Sequence, residues 1–288
     1  MFSNKNKRVL FMRGIFLSLF LLSFFATAEA KDELTFLISP MTSPISTLTK
    51  FHPLVDYLEK RLGKKIKLKQ KKTYKAVNEL LMQGKAHFAY LCTGGYLMGR
   101  KEFNIELLAI PVIKGKKTYR AYIITHQKSS YRSIEDLKGT VFAFTDPLSL
   151  TGHLFVKAYL KQRAQRPEGY FKKFFFTGSH EKSIEAVALG LAQGATIDGL
   201  VYEEMMEYDN PYAKRVKVIY KSQEFGMPPF VVSASLSQRD KMRLLRLLLN
   251  MHKDPEGKEV LNKIGIDRFD PPDHSLYRTA WEVIDKAE

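Results

Sequence analysis

The sequence contains little that could support disulfide, metal or covalent chemistry. Its 288 residues include one cysteine, Cys92, and one tryptophan. A single cysteine excludes an internal disulfide framework and any metal site built from regularly spaced cysteines, so the fold must be held by its apolar core. We interpret Cys92 as a buried apolar residue rather than as a reactive thiol.

The motifs of common enzyme families are also missing. The chain has no G-x-S-x-G elbow, no H-E-x-x-H pair, no P-loop and no glycine-rich dinucleotide fingerprint. A hydrolase pair of Ser149 with His153 or His180 is the remaining catalytic alternative, but serines at helix starts are common. These absences favour a binding protein over an enzyme, and we expect no cofactor and no metal.

The first thirty residues have the three regions of an export signal. Four basic residues within the first thirteen precede an apolar run over residues 14–25, and the small-x-small sequence Ala28-Glu29-Ala30 follows. The apolar run is too short to span a bilayer comfortably, which favours an export signal over a membrane tether. We therefore predict cleavage near Ala30 and a periplasmic mature protein that begins at Lys31.

Positive charge is in excess along the chain. The formal net charge is +16, and removal of the four basic groups and one acidic group of the first thirty residues leaves +13. The densest basic run, residues 64–72, alternates Ile66 and Leu68 with charge, as a half-exposed strand does. We predict a solvated basic surface that attracts small anions, and no nucleic-acid partner.

Strand patterns and helix patterns alternate along the mature chain, which favours parallel sheets built from βαβ units. The predicted strands are residues 33–39, 66–70, 87–92, 119–125, 140–144, 174–176, 196–201, 216–220 and 230–233. The predicted helices include one ending at Gly63, one ending at Gly84, and those over residues 152–165, 181–193 and about 244–249. Two α/β units of similar size predict a two-lobed protein with a ligand cleft between the lobes.

The pattern also predicts where the lobes begin and end. The predicted division is a signal peptide at residues 1–30, the first part of lobe 1 at 31–118, lobe 2 at 119–225, and a return to lobe 1 with C-terminal helices at 226–288. In this arrangement the chain passes twice between the lobes.

The stretch TDPLSLTG, residues 145–152, places two hydroxyls and a glycine at the start of a predicted helix. The first N–H groups of a helix have no intrahelical partner and carry the positive end of its dipole, so they bind anions. Ser149 and Thr151 add hydroxyl donors, and Gly152 lets a ligand approach the backbone. Ordinary capping by Ser149 or Thr151 is the alternative interpretation.

A second helix start has the same character. Gly178, Ser179 and His180 come directly before the predicted helix 181–193. Both helix starts follow short strands, and the carboxyl ends of parallel strands meet at one sheet edge, where α/β proteins bind ligands. Two such helix starts in one lobe favour an anion site. A lone histidine at such a position more often makes a structural hydrogen bond, and the residues alone favour that interpretation of His180.

Five stretches, in this order along the chain, carry a resemblance to a known family: FHPLVDYLEKRLGKKIKL, TYKAVNELLMQGKAHFAYL, DPLSLTG, TGSHEKSIEAV and MPPFVV. They resemble the PhnD-type substrate-binding proteins of phosphate, phosphite and phosphonate ABC transporters, within the periplasmic-binding-protein superfamily. The chain departs from that family's pattern at Leu150, where threonine is common, and at His87, where aspartate is usual. It also has Leu91, Cys92 and Thr93 where the family has an aromatic-Gly-Pro/Asn pattern.

The resemblance implies an α/β, two-lobed type II fold and a site for a small oxyanion. In that site the helix start at Ser149 holds the oxyanion, His180 donates from the second helix start, and Tyr74 reaches across from the first lobe. The ligand-binding residues that the resemblance implies are Tyr74, Thr93, Ser149, Thr151, Gly152, Ser179 and His180.

The resemblance also implies a function and a partner. A periplasmic protein of this kind captures a phosphonate, phosphite or phosphate-like anion for an ABC importer, as a monomer that docks on the permease. The alternative is a ligand-sensing periplasmic protein that reports to a membrane histidine kinase or another receptor. Nothing in the sequence separates these two partners.

Overall fold

The computed structural model describes residues 33–288. The strands are Leu34–Ile38 (β1), Ile66–Gln70 (β2), Phe88–Tyr90 (β3), Glu106–Val112 (β4), Thr118–His126 (β5), Val141–Phe144 (β6), Lys173–Phe176 (β7), Gly194–Asp198 (β8), Val216–Gly226 (β9), Phe230–Val232 (β10) and Arg268–Asp270 (β11).

The α-helices are Pro44–Leu62 (α1), Tyr74–Met82 (α2), Thr93–Phe103 (α3), Phe155–Lys161 (α4), Pro167–Tyr170 (α5), His180–Ala188 (α6), Gly199–Glu207 (α7), Gln238–Asn250 (α8), Pro255–Ile264 (α9) and Arg278–Ala287 (α10). A π-helical turn, Leu150–Leu154, runs directly into α4. Within residues 33–288, no helix has the length and apolar character needed to cross a membrane.

The strands form two sheets, one in the order β11-β4-β10-β3-β1-β2 and the other in the order β7-β6-β8-β5-β9. β1 pairs in parallel with β2 and β3, and β6 pairs in parallel with β7 and β8. β5, β9 and β10, which adjoin the passages between the sheets, run antiparallel to their neighbours. The α/β class is confirmed, but the expectation of parallel sheets is correct only for the pairs that β1 makes with β2 and β3 and that β6 makes with β7 and β8.

The chain passes between the two sheets twice. It leaves the six-stranded sheet at Val112 and enters the five-stranded sheet at Thr118, and it returns between Gly226 and Phe230. The division into a signal peptide and lobes at residues 30, 118 and 225 stays a prediction, and its first segment lies outside the described residues.

Several helices begin directly after the carboxyl end of a strand. In the five-stranded sheet the π-helical turn follows β6, α6 follows β7, and α7 follows β8. These three strands are parallel, so the three helix starts lie at the same edge of the sheet. In the six-stranded sheet, α3 follows β3 in the same way.

Buried aromatic rings fill the core around the six-stranded sheet. Phe36 and Phe88 stack with ring centroids 4.5 Å apart, and Phe230 packs against Phe36. A separate cluster joins the two halves of the molecule: Tyr96 of α3 and Leu150 of the π-helical turn are buried in it together. The predicted anion turn is therefore packed against a helix of the other half, which fixes its position.

Two predicted element limits need correction. The predicted strand 196–201 ends at Asp198, because the Asp198 side chain accepts a hydrogen bond from the Leu200 N–H at 2.8 Å and starts α7. The predicted helix 181–193 ends at Ala188, and Gly190 follows with a positive φ of 76°, a conformation that ends helices.

Candidate functional site

The N-termini of four helices meet between the two sheets. The Tyr74 N–H at the start of α2 donates to Asp146 Oδ2 at 3.2 Å, and the Tyr74 hydroxyl lies 3.5 Å from Nε2 of His180 at the start of α6. Cys92, at the N-cap of α3, has its Sγ 3.8 Å from the Ser149 hydroxyl. The structure thus brings the helix starts that the sequence singled out into one buried cluster.

The two hydroxyls of the π-helical turn have different roles. Ser149 Oγ accepts a hydrogen bond from the Gly152 N–H at 3.0 Å, so Ser149 caps the turn. Thr151 is equally buried, but its Oγ1 has no hydrogen-bond partner among the described residues. Buried hydroxyls are almost always paired, so an unpaired one inside a cluster of helix N-termini indicates a place for a ligand.

Gly152 has a packing role in addition to the predicted ligand approach. A Cβ at this position would lie 2.5 Å from the Thr145 Cβ and 2.8 Å from Ser149 Oγ. Such separations are far inside van der Waals contact, so any side chain at position 152 would displace the turn itself. The glycine is required by the protein's own packing, whether or not a ligand approaches the backbone there.

His180 is fully buried and is held from several directions. Its Nδ1 lies 3.0 Å from the Asp198 N–H and 3.2 Å from the Thr145 hydroxyl. A backbone N–H only donates, so Nδ1 accepts and the ring proton is on Nε2. Burial lowers the pKa of His180 to about 3, so the ring is neutral at physiological pH. His180 therefore presents a neutral Nε2–H donor toward the Tyr74 hydroxyl.

The buried His180 should make the fold sensitive to acid. Its folded pKa of about 3 lies below the ordinary value of 6.5, so between these limits the unfolded chain binds a proton that the folded chain does not. Stability is then lost as pH falls from 6.5 towards 3, by up to about 1.4 kcal/mol per pH unit. Urea unfolding at pH 7 and pH 5 should show this loss in the wild type.

The matched variant for this test is His180→Asn, which removes the titrating ring. We expect the stability difference between pH 7 and pH 5 to shrink by about 1–2 kcal/mol in His180→Asn. The exposed His52→Asn serves as the control and should leave the difference unchanged. Equal pH dependence in the wild type and in His180→Asn would show that His180 is not buried as a neutral ring.

Tyr74 belongs to the cluster, and its contribution to ligand binding stays a prediction. The residue is fully buried, and burial raises the pKa of its hydroxyl well above the usual range, so the group stays protonated and able to donate. Asp146, which accepts from the Tyr74 N–H, also accepts from the Leu148 N–H at 2.9 Å. Asp146 therefore links the start of α2 to the turn that carries Ser149.

Ser179 and Thr93 already have partners for their hydroxyls. Ser179 Oγ accepts from the Lys182 N–H at 3.3 Å and caps α6. Thr93 Oγ1 donates to the Gly226 carbonyl at 2.9 Å and lies 3.1 Å from the Tyr119 hydroxyl, which donates to it. Both residues belong to the cluster, and their contribution to ligand binding stays a prediction.

Cys92 is buried, as we inferred, and lies inside the cluster rather than apart from it. Burial raises the pKa of its thiol to about 11, so the thiol is protonated at neutral pH. In residues 33–288, no group of three or more histidine, cysteine or carboxylate side chains is placed to hold a metal ion.

A cavity of about 330 Å³ lies beside this cluster, between the two sheets. It touches the cluster through Met41 and Asp198, whose backbone groups are hydrogen-bonded to His180. None of the seven residues of the predicted ligand set lines it. The sequence missed Ser39, whose buried hydroxyl has no partner among the described residues and which lines this cavity. Its position directly after β1 was the only signal available.

The family comparison matches this arrangement. Residues 36–277 match the family described as "ABC transporter, phosphonate, periplasmic substrate-binding protein". The chain belongs to this family. The family consists of substrate-binding proteins rather than enzymes, and its members are periplasmic. The inference of a PhnD-type substrate-binding protein is confirmed, whereas cleavage near Ala30 stays a prediction that lies outside the described residues.

Two characterised relatives have similar sequences. The phosphonates-binding periplasmic protein of Escherichia coli (strain K12) is 26% identical over 242 residues, which cover 82% of this chain and 71% of that protein. The phosphate-import protein PhnD of Mycolicibacterium smegmatis is 24% identical over 233 residues, which cover 76% of this chain and 73% of that protein.

Solved structures share the fold. A binding-protein component of an ABC phosphonate transporter from Pseudomonas aeruginosa superimposes with a TM-score of 0.82 at 22% identity, covering 87% of this chain and 85% of that chain. PhnD1 from Prochlorococcus marinus, in complex with methylphosphonate, gives a TM-score of 0.79 at 18% identity, covering 88% of this chain and 97% of that chain. The two-lobed periplasmic-binding-protein fold is confirmed.

Proposed function

We propose that the protein binds a small tetrahedral oxyanion, a phosphonate, phosphite or phosphate, at the cluster of helix N-termini between its two sheets. The observation that carries the proposal is the fully buried Thr151 Oγ1, which has no hydrogen-bond partner among the described residues. An oxyanion oxygen at this place would accept from Thr151 and would satisfy the buried hydroxyl.

The donors available to the anion are neutral. The His180 Nε2–H and the Tyr74 hydroxyl lie 3.5 Å apart. Burial keeps the His180 ring neutral, with its proton on Nε2, and keeps the Tyr74 hydroxyl protonated at neutral pH. Neutral donors at helix N-termini stabilise an anion without the desolvation cost of a buried lysine or arginine. Charge-assisted hydrogen bonds of this kind contribute roughly 1.5–3 kcal/mol each.

The proposed partner is the permease of an ABC importer, on which the protein docks as a monomer after it has captured the anion in the periplasm. The family match, which runs over residues 36–277, names a transporter component and supports a permease rather than a sensor kinase. The relative from Escherichia coli bears the name of a phosphonate-binding protein, and the relative from Mycolicibacterium smegmatis bears the name of a phosphate-import protein. These names support both phosphorus oxyanions as candidates.

A thermal-unfolding screen tests the proposal. The exported protein is heated with phosphate, phosphite, methylphosphonate or sulfate at 1 mM, and the midpoint temperature is measured. A ligand present at one hundred times its Kd adds about 2.7 kcal/mol of stability, which should raise the midpoint by roughly 5–10 °C. We expect at least one phosphorus oxyanion to give such a rise. The absence of any shift with all four anions would contradict oxyanion binding.

A further inference from the structure

Two hydrogen bonds join the two halves of the molecule directly beside the anion cluster. Met41 and Ser43 follow β1 of the six-stranded sheet, whereas His180 and Glu181 begin α6, which follows β7 of the five-stranded sheet. The His180 N–H donates to the Met41 carbonyl at 3.0 Å. The Ser43 N–H donates to Glu181 Oε2 at 2.7 Å. We call these four residues the clamp.

The Glu181 carboxylate lies between two helix N-termini. Glu181 is in the first turn of α6, and Ser43, whose N–H it accepts, is the N-cap of α1. The positive end of a helix dipole stabilises a carboxylate, and here one carboxylate meets the N-termini of helices from both halves. A charged acceptor also makes a stronger hydrogen bond than a neutral one. The contact therefore favours the arrangement in which the two halves are together.

Each side of the clamp is fixed within its own half. Thr42, between Met41 and Ser43, has its carbonyl bonded to the Gln70 side chain at the end of β2, with a distance of 3.2 Å. On the other side, His180 Nδ1 accepts from the N–H of Asp198, the residue that ends β8, at 3.0 Å. The clamp therefore connects two ordered parts of the fold and not two free loops.

The clamp also decides whether two proposed anion donors are close together. The His180 Nε2–H lies 3.5 Å from the hydroxyl of Tyr74, which begins α2 in the six-stranded half. Two-lobed binding proteins close around their ligand by a hinge, so these two donors are neighbours only when the lobes are closed. Glu181 directly follows His180 in the chain, and the hydrogen bond that it accepts holds the closed arrangement at this point.

The clamp can be changed without altering the cavity beside the cluster. Another ion pair, Lys50 with Glu204 at 2.6 Å, also joins the two halves, but both of its residues line that cavity. A change in either would alter the surroundings of any ligand in the cavity. Ser43 and Glu181 do not line it, so their substitution reports on closure alone.

We propose that Glu181 is a positioning residue for oxyanion binding, which holds the two lobes closed through the Ser43 N–H and does not touch the anion. The inference rests on the proposed function, because it takes the cluster as the anion site. Loss of this hydrogen bond lowers the closed fraction, and the apparent affinity falls with that fraction. An effect of the charge alone has the opposite sign, since removal of a carboxylate next to an anion site tightens anion binding.

Calorimetric titration of Glu181→Ala with methylphosphonate tests the proposal. We expect binding about five- to twentyfold weaker than in the wild type, because the closed conformation loses a hydrogen bond to a charged group. Glu181→Gln keeps an oxygen that accepts from the Ser43 N–H, and it should restore affinity to within about threefold of the wild type. Glu185→Ala removes the same charge one turn further along α6, outside the clamp, and should bind like the wild type.

Substitutions of Ser43 test the donor side. Its φ of −62° is one that proline adopts, and proline has no N–H, so Ser43→Pro removes the donor. Ser43 Oγ also caps α1 by accepting from the Ser46 N–H at 3.2 Å. Ser43→Ala loses this cap and keeps the N–H, so the difference between the two variants isolates the hydrogen bond to Glu181. We expect Ser43→Pro to bind methylphosphonate about five- to twentyfold more weakly than Ser43→Ala.

The double variant with Ser43→Pro and Glu181→Ala shows whether the two residues act through one bond. It should bind no more weakly than the weaker of the two single variants, because each single variant already lacks that bond. Losses that add in the double variant would overturn the clamp. Equal losses in Glu181→Ala and Glu181→Gln would overturn the hydrogen bond as their cause.

The outcomes separate this inference from the proposed function. A wild type that binds methylphosphonate, together with a Glu181→Ala variant that binds it equally well or more tightly, would overturn the positioning role alone. A wild type that binds none of methylphosphonate, phosphite and phosphate would show that the proposed function is wrong. Thermal unfolding of each variant shows whether it is folded, and Glu181→Ala carries the test if Ser43→Pro is not.

Discussion

Substitution of alanine for Gly94 should cost the protein most of its oxyanion affinity. Gly94 lies in the first turn of α3, and a Cβ there would lie 2.7 Å from the Leu150 N and still closer to the Leu148 carbonyl. These are backbone atoms, so no side-chain rotation can relieve the overlap. The turn that carries Ser149 and Thr151 must therefore move away from α3.

The expected loss of affinity follows from the number of hydrogen-bond donors that move away from the anion. If two charge-assisted hydrogen bonds to the anion are lost with the turn, the cost is roughly 3–6 kcal/mol, which is at least two powers of ten in Kd. Titration calorimetry measures this change in Kd with the anion that gives the largest thermal shift in the screen. Wild-type affinity in Gly94→Ala would mean that the turn holds no ligand.

Gly95→Ala is the matched control for this prediction. It makes the same chemical change one residue further along α3, but a Cβ at Gly95 would meet the Tyr74 side chain at ordinary contact distances of 3.7 and 3.8 Å. We expect affinity within about threefold of the wild type. Stability should be unchanged or slightly higher, because alanine favours a helix over glycine by up to about 1 kcal/mol.

Replacing Thr151 with valine should weaken anion binding by about one to two powers of ten without loss of stability. Valine has the shape of threonine and lacks only the hydroxyl. Because Thr151 Oγ1 makes no hydrogen bond of ordinary geometry among the described residues, its removal should cost little stability. The affinity loss corresponds to one charge-assisted hydrogen bond of roughly 1.5–3 kcal/mol.

Ser149→Ala supplies the contrasting result. Ser149 Oγ caps the turn through the Gly152 N–H, so its removal should lower the unfolding free energy by about 1 kcal/mol. Denaturant unfolding measures the stability of the two variants, and titration measures their affinity. Thr151→Val keeps stability and loses affinity, whereas Ser149→Ala loses stability. Thr151→Val with wild-type affinity would show that its hydroxyl does not contact the anion.

The local parts of the site could be predicted from sequence because each lies in one short stretch. The turn at residues 145–152 and the helix start at Ser179 can be recognised in the sequence because hydroxyl residues and glycines stand directly before a helical pattern. The sequence does not show which of the two hydroxyls, that of Ser149 or that of Thr151, caps the turn and which has no hydrogen-bond partner. That distinction between Ser149 and Thr151 depends on side-chain direction, which only the folded turn determines.

The helix α3 was missed for a physical reason. Its stretch contains Gly94, Gly95 and Gly99, and glycine disfavours helices by about 1 kcal/mol relative to alanine. Gly94 is required by tertiary packing, since a Cβ there would overlap backbone atoms of the anion turn. The low helix propensity of glycine disfavours a helix in this stretch, but tertiary packing stabilises the helix.

The full lining of the cavity beside the cluster could not be assembled from the sequence. Ser39, Asp198 and Asp267 come from distant parts of the chain and meet only because the chain passes twice between the sheets. No spacing rule connects such residues. None of the seven ligand residues that the resemblance implies lines the cavity.

The most direct test of oxyanion binding between the sheets is a crystal structure of the mature protein with bound methylphosphonate. The phosphonate oxygens should lie within about 3.2 Å of Thr151 Oγ1 and of His180 Nε2, at ordinary hydrogen-bond distance. Methylphosphonate bound instead among surface lysines, with Thr151 Oγ1 still unpaired, would contradict this assignment of the site.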